Sequence, residues 1–149
     1  MENYSTVRIV VAAAMLSDDG TVLMQQRPPD KAYGGLWEFP GGKMERGETP
    51  QVALVREIDE ELGLMLDPAD LFPITFACEP SSPGRTPILL LLFGVRRWVG
   101  VARAIEPGSH VRWVPAEGLS ALAMPPLDIP LSQAVIRLLE GVAKANGHP

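Results

Sequence analysis

Glu57, Glu60 and Glu61 lie within five residues of one another, directly after Arg56 and a short way beyond Glu48. On a helix, carboxylates three and four residues apart are neighbours, and each such like-charged pair destabilises an isolated helix by about a few tenths of a kcal/mol. A divalent cation removes that repulsion. Hard oxygen donors on a rigid face suit Mg²⁺ or Mn²⁺, which keep several waters and bridge to substrate phosphates. The competing reading is a plain solvated acidic face, because charged residues mostly lie exposed. Arg56 precedes Glu57 by one position and Glu60 by four, so its guanidinium can brace carboxylates bidentately, with Glu48 as a further partner. Its competing reading is an exposed ion pair, worth about 0–1 kcal/mol.

A helix must carry these groups. Thr49 reads as its N-cap, Pro50 as its first residue and Gly63 as the residue beyond its end, which predicts a helix over 50–62. Val52, Val55, Ile58 and Leu62 then form one apolar stripe, with the glutamates roughly opposite. Ahead of it, the run from Gly34 to Lys43 ends in Pro40-Gly41-Gly42, a turn signal that also lets main chain approach a ligand closely. Trp37 and Phe39 within that run favour a core role over stacking on a base.

The remaining elements follow from periodicity. Residues 6–16 are apolar and β-rich, 17–20 are turn chemistry and 21–27 alternate, which predicts a hairpin. Asp67-Pro68-Ala69-Asp70 breaks the chain. Strands are expected over 71–78, 88–98 and 111–114, and a closing helix over 131–145 with Ala134, Leu138, Leu139 and Val142 on its apolar side. No repeat or linker interrupts residues 1–149, which read as one domain of the α/β (α+β) class.

Composition narrows the function. With a net charge of −5 the chain lacks the clustered cations that stable nucleic-acid binding needs. Arg96-Arg97 is the one adjacent basic pair and reads as an exposed strand end. The strongest apolar run, Ile88 to Phe93, is too short to cross a bilayer. The start Met1-Glu2-Asn3-Tyr4 lacks a basic leader region, and a lone Cys78 fits a small buried thiol in a reducing compartment. A cytoplasmic protein, monomer or homodimer, is expected. His110 and His148 show no ligand spacing, and His148 falls in a tail expected to be disordered.

The full pattern runs Gly42, five residues, Glu48, seven residues, Arg56-Glu57-Ile58, one residue, Glu60-Glu61, one residue, Gly63-Leu64. It resembles the Nudix box at every position. The flanks, including Gln25-Gln26-Arg27-Pro28, Leu36 to Lys43, Thr75-Phe76-Ala77, Val111 to Val114 and Met124 to Pro130, are similar to the MutT-like group of that family. The resemblance implies an α/β/α sandwich around a mixed β-sheet and a Mg²⁺- or Mn²⁺-dependent pyrophosphohydrolase acting on small nucleotides. It implies Gly41 (through its carbonyl), Glu57, Glu60, Glu61 and Glu106 as metal ligands, with Glu48 and Arg56 in the catalytic set. It also implies Arg27, Phe39, Lys43, Phe76 and Asp128 on the substrate side.

Asp128 stands where MutT-type enzymes carry either aspartate or asparagine. Asparagine offers donor and acceptor, whereas ionised aspartate only accepts, so oxidised purine and cytosine nucleotides both remain open. Two other functions compete with triphosphate hydrolysis. One is a Nudix hydrolase of ADP-ribose or a dinucleoside polyphosphate, and the other is a non-catalytic nucleotide-binding module.

Overall fold

A computed structural model describes residues 6–147; Met1–Tyr4 and His148 lie outside the described residues. Among the described residues, seven strands and two α-helices run β1 (Arg8–Met15), β2 (Thr21–Gln26), β3 (Trp37–Glu38), β4 (Gly41–Lys43), α1 (Pro50–Leu62), β5 (Phe72–Cys78), β6 (Ile88–Val95), β7 (His110–Pro115) and α2 (Asp128–Ala145). A mixed four-stranded sheet has the order β4-β1-β6-β5, with β1 parallel to β6 and its other pairings antiparallel. A smaller antiparallel sheet has the order β3-β2-β7.

β1 shows why the larger sheet is central. Val11, Ala13 and Met15 belong to the buried cluster under α1, while Ala12, Ala14 and Leu16 belong to the opposite cluster, which includes Leu131 and Val135 of α2. A strand covered on both faces needs an unbroken apolar run, and Val10 to Leu16 supplies one. Side chains of β6 divide in the same way: Leu92 faces the α2 side and Phe93 the α1 side.

The helix carrying the glutamates forms as its sequence requires. The Thr49 hydroxyl accepts from the Val52 N–H at 3.2 Å, Pro50 opens the helix, and Gly63 closes it at φ 67° with its N–H donated to Asp59. Its buried face differs from the expected stripe. Ala53, Leu54, Ile58 and Leu62 are buried, whereas Val52 is 48% exposed. The stripe is rotated: Glu57 and Glu61 lie against β4, and Val52 faces outward.

Other expectations also need correction. β1 and β2 do not form a hairpin ladder; they meet only at the bridge Leu16–Val22 and lead into different sheets. Gly41 and Gly42 lie in a ladder with Ala12 and Val11 rather than in a turn. The strand from Ile88 ends at Val95, leaving Arg96 and Arg97 exposed and turning Trp98 inward to stack on Trp113, ring centroids 5.6 Å apart. The last helix starts at Asp128, three residues early. Cys78 is exposed, because it ends β5 at the sheet edge.

Two truncations separate the observed face from the expected one. Ile58→Ala should destabilise the fold by about 2–5 kcal/mol in chemical denaturation, and Val52→Ala should stay within about 0.5 kcal/mol. Equal losses would restore the expected stripe.

Candidate active site

Two glycines make room at the strand beside α1. A Cβ on Gly42 would overlap the Glu57 carboxylate, and one on Gly41 would overlap the Val11 carbonyl of the neighbouring strand. Glu57 therefore lies on bare main chain. The Gly41 N–H adjoins Glu61, so both inward glutamates of α1 meet the same two-residue stretch of β4.

Arg56 organises the outer side. Its Nε and Nη2 donate to the two Glu48 oxygens at 2.8 and 2.9 Å, Nη1 donates to Glu57 at 2.9 Å and to Glu60 at 3.4 Å, and Nη2 also reaches the Lys43 carbonyl at 3.1 Å. The paired guanidinium holds the Glu48 carboxyl well below the usual carboxylate range, and Glu48 in turn accepts from the Glu45 N–H. One cation thus fixes the β4 end, the loop before α1 and two glutamates of α1. This is the bracing role expected from spacing.

Glu106 arrives from far along the chain. After β6, the segment hugs the end of α1: Arg103 donates its N–H to the Leu62 carbonyl at 3.0 Å and Ile105 to the Glu61 carbonyl at 3.2 Å. The next residue is Glu106, whose turn is held by the Ser109 hydroxyl donating to the Glu106 carbonyl at 2.7 Å. Burial pushes the Glu61 carboxyl up to about 8, and the charges of Glu57, Glu38 and Glu106 push the same way. Four carboxylates therefore share one field.

Glu38 joined that group without being anticipated. Its place depends on the pairing of β3 with β2, which aligns Glu38 with Gln25 and lets Arg27 Nη1 donate to both its oxygens at 3.1 Å. Burial raises the Glu38 pKa, and the charge and hydrogen bond of Arg27 oppose that shift. Nothing in linear spacing announces this strand register. Lys31 was also missed; it pairs with Glu106 across two loops.

The three box glutamates do not converge alone: among the described residues, no three His, Cys, Asp or Glu side chains gather closely enough to hold an ion. Glu57 and Glu60 instead share Arg56 Nη1 as a donor. The donor set nevertheless fits Mg²⁺ or Mn²⁺, because hard oxygens from Glu57 and Glu61 lie against open main chain and carry more negative charge than their neighbours balance.

A cleft of about 610 Å³ adjoins this region, with Arg27, Phe39, Gly41, Gly42, Lys43 and Asp128 in its wall. Asp128 is 5% exposed and accepts from the Phe39 N–H at 3.0 Å. Burial pushes its carboxyl up to about 7; the Phe39 hydrogen bond opposes that shift. Phe39 is buried in the core as well as lining the cleft. Phe76 is different: it projects from the edge strand β5, 67% exposed, and forms no part of the cleft wall.

The NUDIX domain profile matches residues 6–135. The chain belongs to the Nudix family. It is 38% identical over 130 residues to the CTP pyrophosphohydrolase of Escherichia coli, covering 87% of this chain and 93% of that one. It is 33% identical to the 8-oxo-dGTP diphosphatase of Escherichia coli, covering 87% and 96%. The solved structure of the E. coli ORF135 protein matches with a TM-score of 0.77 at 33% identity, covering 89% of this chain and 91% of that one. The α/β/α arrangement and its mixed sheet are those of this family.

The raised Glu61 pKa has a stability consequence in this Nudix protein. A carboxyl lifted from 4.5 to about 8 binds its proton more tightly in the folded state. Its contribution is present below pH 4.5 and is lost as pH rises toward 8. Without divalent metal, Tm should fall by roughly 8–15 °C from pH 5 to 8.5, and Glu61→Gln should flatten that slope. An unchanged slope in Glu61→Gln would remove Glu61 as its source.

Proposed function

We propose that this chain is a Mg²⁺- or Mn²⁺-dependent nucleoside triphosphate pyrophosphohydrolase that sanitises modified nucleotides in the cytoplasm. The observation that carries this reading is the position of the Glu38, Glu57, Glu61 and Glu106 group beside a cleft whose wall holds the buried Asp128. A polyphosphate would lie at the carboxylates and a base at Asp128. The two Escherichia coli relatives named for CTP and 8-oxo-dGTP support a triphosphate substrate.

Glu57, Glu60, Glu61, Glu106 and the Gly41 carbonyl would hold the cations, whose chemistry is to acidify water, screen the triphosphate and offset charge on the leaving group. The water oxygen bonds to the β-phosphorus while the bond from that phosphorus to the α,β-bridging oxygen breaks. The products are a nucleoside monophosphate and pyrophosphate. The water's proton passes to a carboxylate of the Glu57, Glu60 and Glu61 group. Arg56 and Glu48 keep those carboxylates in place, and Lys43 and Arg27 border the path of the substrate.

Asp128 reads the base. One oxygen is engaged by the Phe39 N–H, which leaves the other to face the cleft as an acceptor when ionised and as a donor when protonated. A carboxyl near pH 7 switches between these states in the physiological range. In the ionised form it favours bases that present an amino donor, cytosine among them.

The deciding experiment measures kcat/KM with Mg²⁺ for 8-oxo-dGTP, dGTP, dCTP, 5-methyl-dCTP, ADP-ribose and a dinucleoside polyphosphate. A triphosphate should lead, with monophosphate and pyrophosphate as products; a lead for ADP-ribose would contradict the reading. Asp128→Asn retains an acceptor for the Phe39 N–H and supplies a fixed donor. It should reorder the triphosphates by about 10- to 100-fold in kcat/KM. An unaltered ranking would take Asp128 out of base selection.

A further inference from the structure

Three cations pair with the carboxylates of this site, and they are held very differently. Arg56 is gripped by Glu48, Glu57, Glu60 and the Lys43 carbonyl, and its side chain is 23% exposed. Arg27 is fixed by both Glu38 oxygens and by the Ala32 carbonyl at 2.7 Å, and is 29% exposed. Among the described residues Lys31 has one side-chain partner, Glu106, and is 50% exposed. A compact ammonium on a flexible stem with a single partner is the cation able to leave.

The surrounding loops present Lys31 to Glu106. Successive turns shape the stretch from Pro28 to Leu36, with Lys31 donating its N–H to the Pro28 carbonyl, Gly34 to Lys31 and Gly35 to Arg27. Tyr33 adopts φ 57°, a conformation that a non-glycine residue enters only where its surroundings impose it. Across from it, Gly108 lies over Pro28 and Pro29, at φ 83°, and Ser109 pins the carbonyl of Glu106. The ion pair therefore bridges two shaped loops.

From this geometry we propose that Lys31 is the resident counter-cation of Glu106, and that a divalent ion must displace it to gain that carboxylate. The inference rests on Glu106 being a metal ligand, as in the proposed function. Lys31 is then a positioning residue with two effects. It neutralises Glu106 before the ion arrives, which limits repulsion within the carboxylate group. It also lowers affinity for the ion, because the ion pair must open first.

The test titrates the metal-free full chain with Mn²⁺ alone and reads free Mn²⁺ by electron paramagnetic resonance. Lys31→Gln should bind Mn²⁺ about two- to fivefold more tightly than wild type, the scale of one partly exposed ion pair. Lys31→Arg should restore wild-type affinity. Glu106→Gln should weaken binding, and Lys31→Gln should have no effect in the Glu106→Gln background. If Glu106→Gln weakens binding but Lys31→Gln does not tighten it, displacement by the ion is wrong and Glu106 remains a ligand. If Glu106→Gln leaves affinity unchanged, the ligand reading of Glu106 fails and the Lys31 proposal falls with it.

Discussion

A carboxylate can rest against a strand only where that strand offers no side chain, and Gly42 gives Glu57 this opening. Gly41 does the same for the adjoining strand, since a side chain there would strike the Val11 carbonyl and push β4 off β1. Gly42 makes room for the Glu57 carboxylate, and Gly41 lets β4 lie against β1. Beneath the helix Ala53, Leu54, Ile58 and Leu62 enter the core, and Glu57 and Glu61 are pulled partly out of water. Core packing and the acidic character of the site are thus products of one close approach.

Charge balance follows from that approach. Burying carboxylates is costly unless they are paired, and the molecule provides Arg56, Arg27 and Lys31 at three sides of the group. These cations do not cancel the field at Glu61, whose pKa is raised first by burial and further by the charges of Glu57, Glu38 and Glu106. An excess of negative oxygens next to open main chain is what a hydrated divalent ion can satisfy. The ion would complete an electrostatic arrangement that the protein leaves unfinished.

Much of this was legible in the sequence, for local reasons. Thr49, Pro50 and Gly63 define α1 to the residue because caps act over a few positions. Arg56 finds Glu60 because helical spacing brings it within reach, and Glu48 because it lies in the loop just ahead of α1. What was not legible depends on strand pairing. Glu38 joins the site through its register with Gln25, and the supposed hairpin splits because β1 prefers β6 and β4 as neighbours while β2 takes β3 and β7. The rotation of α1 that exposes Val52 also needs the sheet, since periodicity alone cannot tell which polar side chains a glycine will admit. Glu106 was reachable only by resemblance; its position comes from backbone bonds to the end of α1 that no side-chain pattern encodes.

The central claim is that the Glu57–Glu61 face against Gly41 and Gly42 receives divalent cations together with a polyphosphate. Anomalous diffraction from crystals soaked with Mn²⁺ and a non-hydrolysable nucleoside triphosphate examines this directly. The account predicts manganese peaks touching the Glu57 and Glu61 carboxylates and shared with phosphate oxygens, with the base reaching Asp128. Manganese bound away from α1, or a triphosphate seated in the cleft with no metal at those two glutamates, would contradict it.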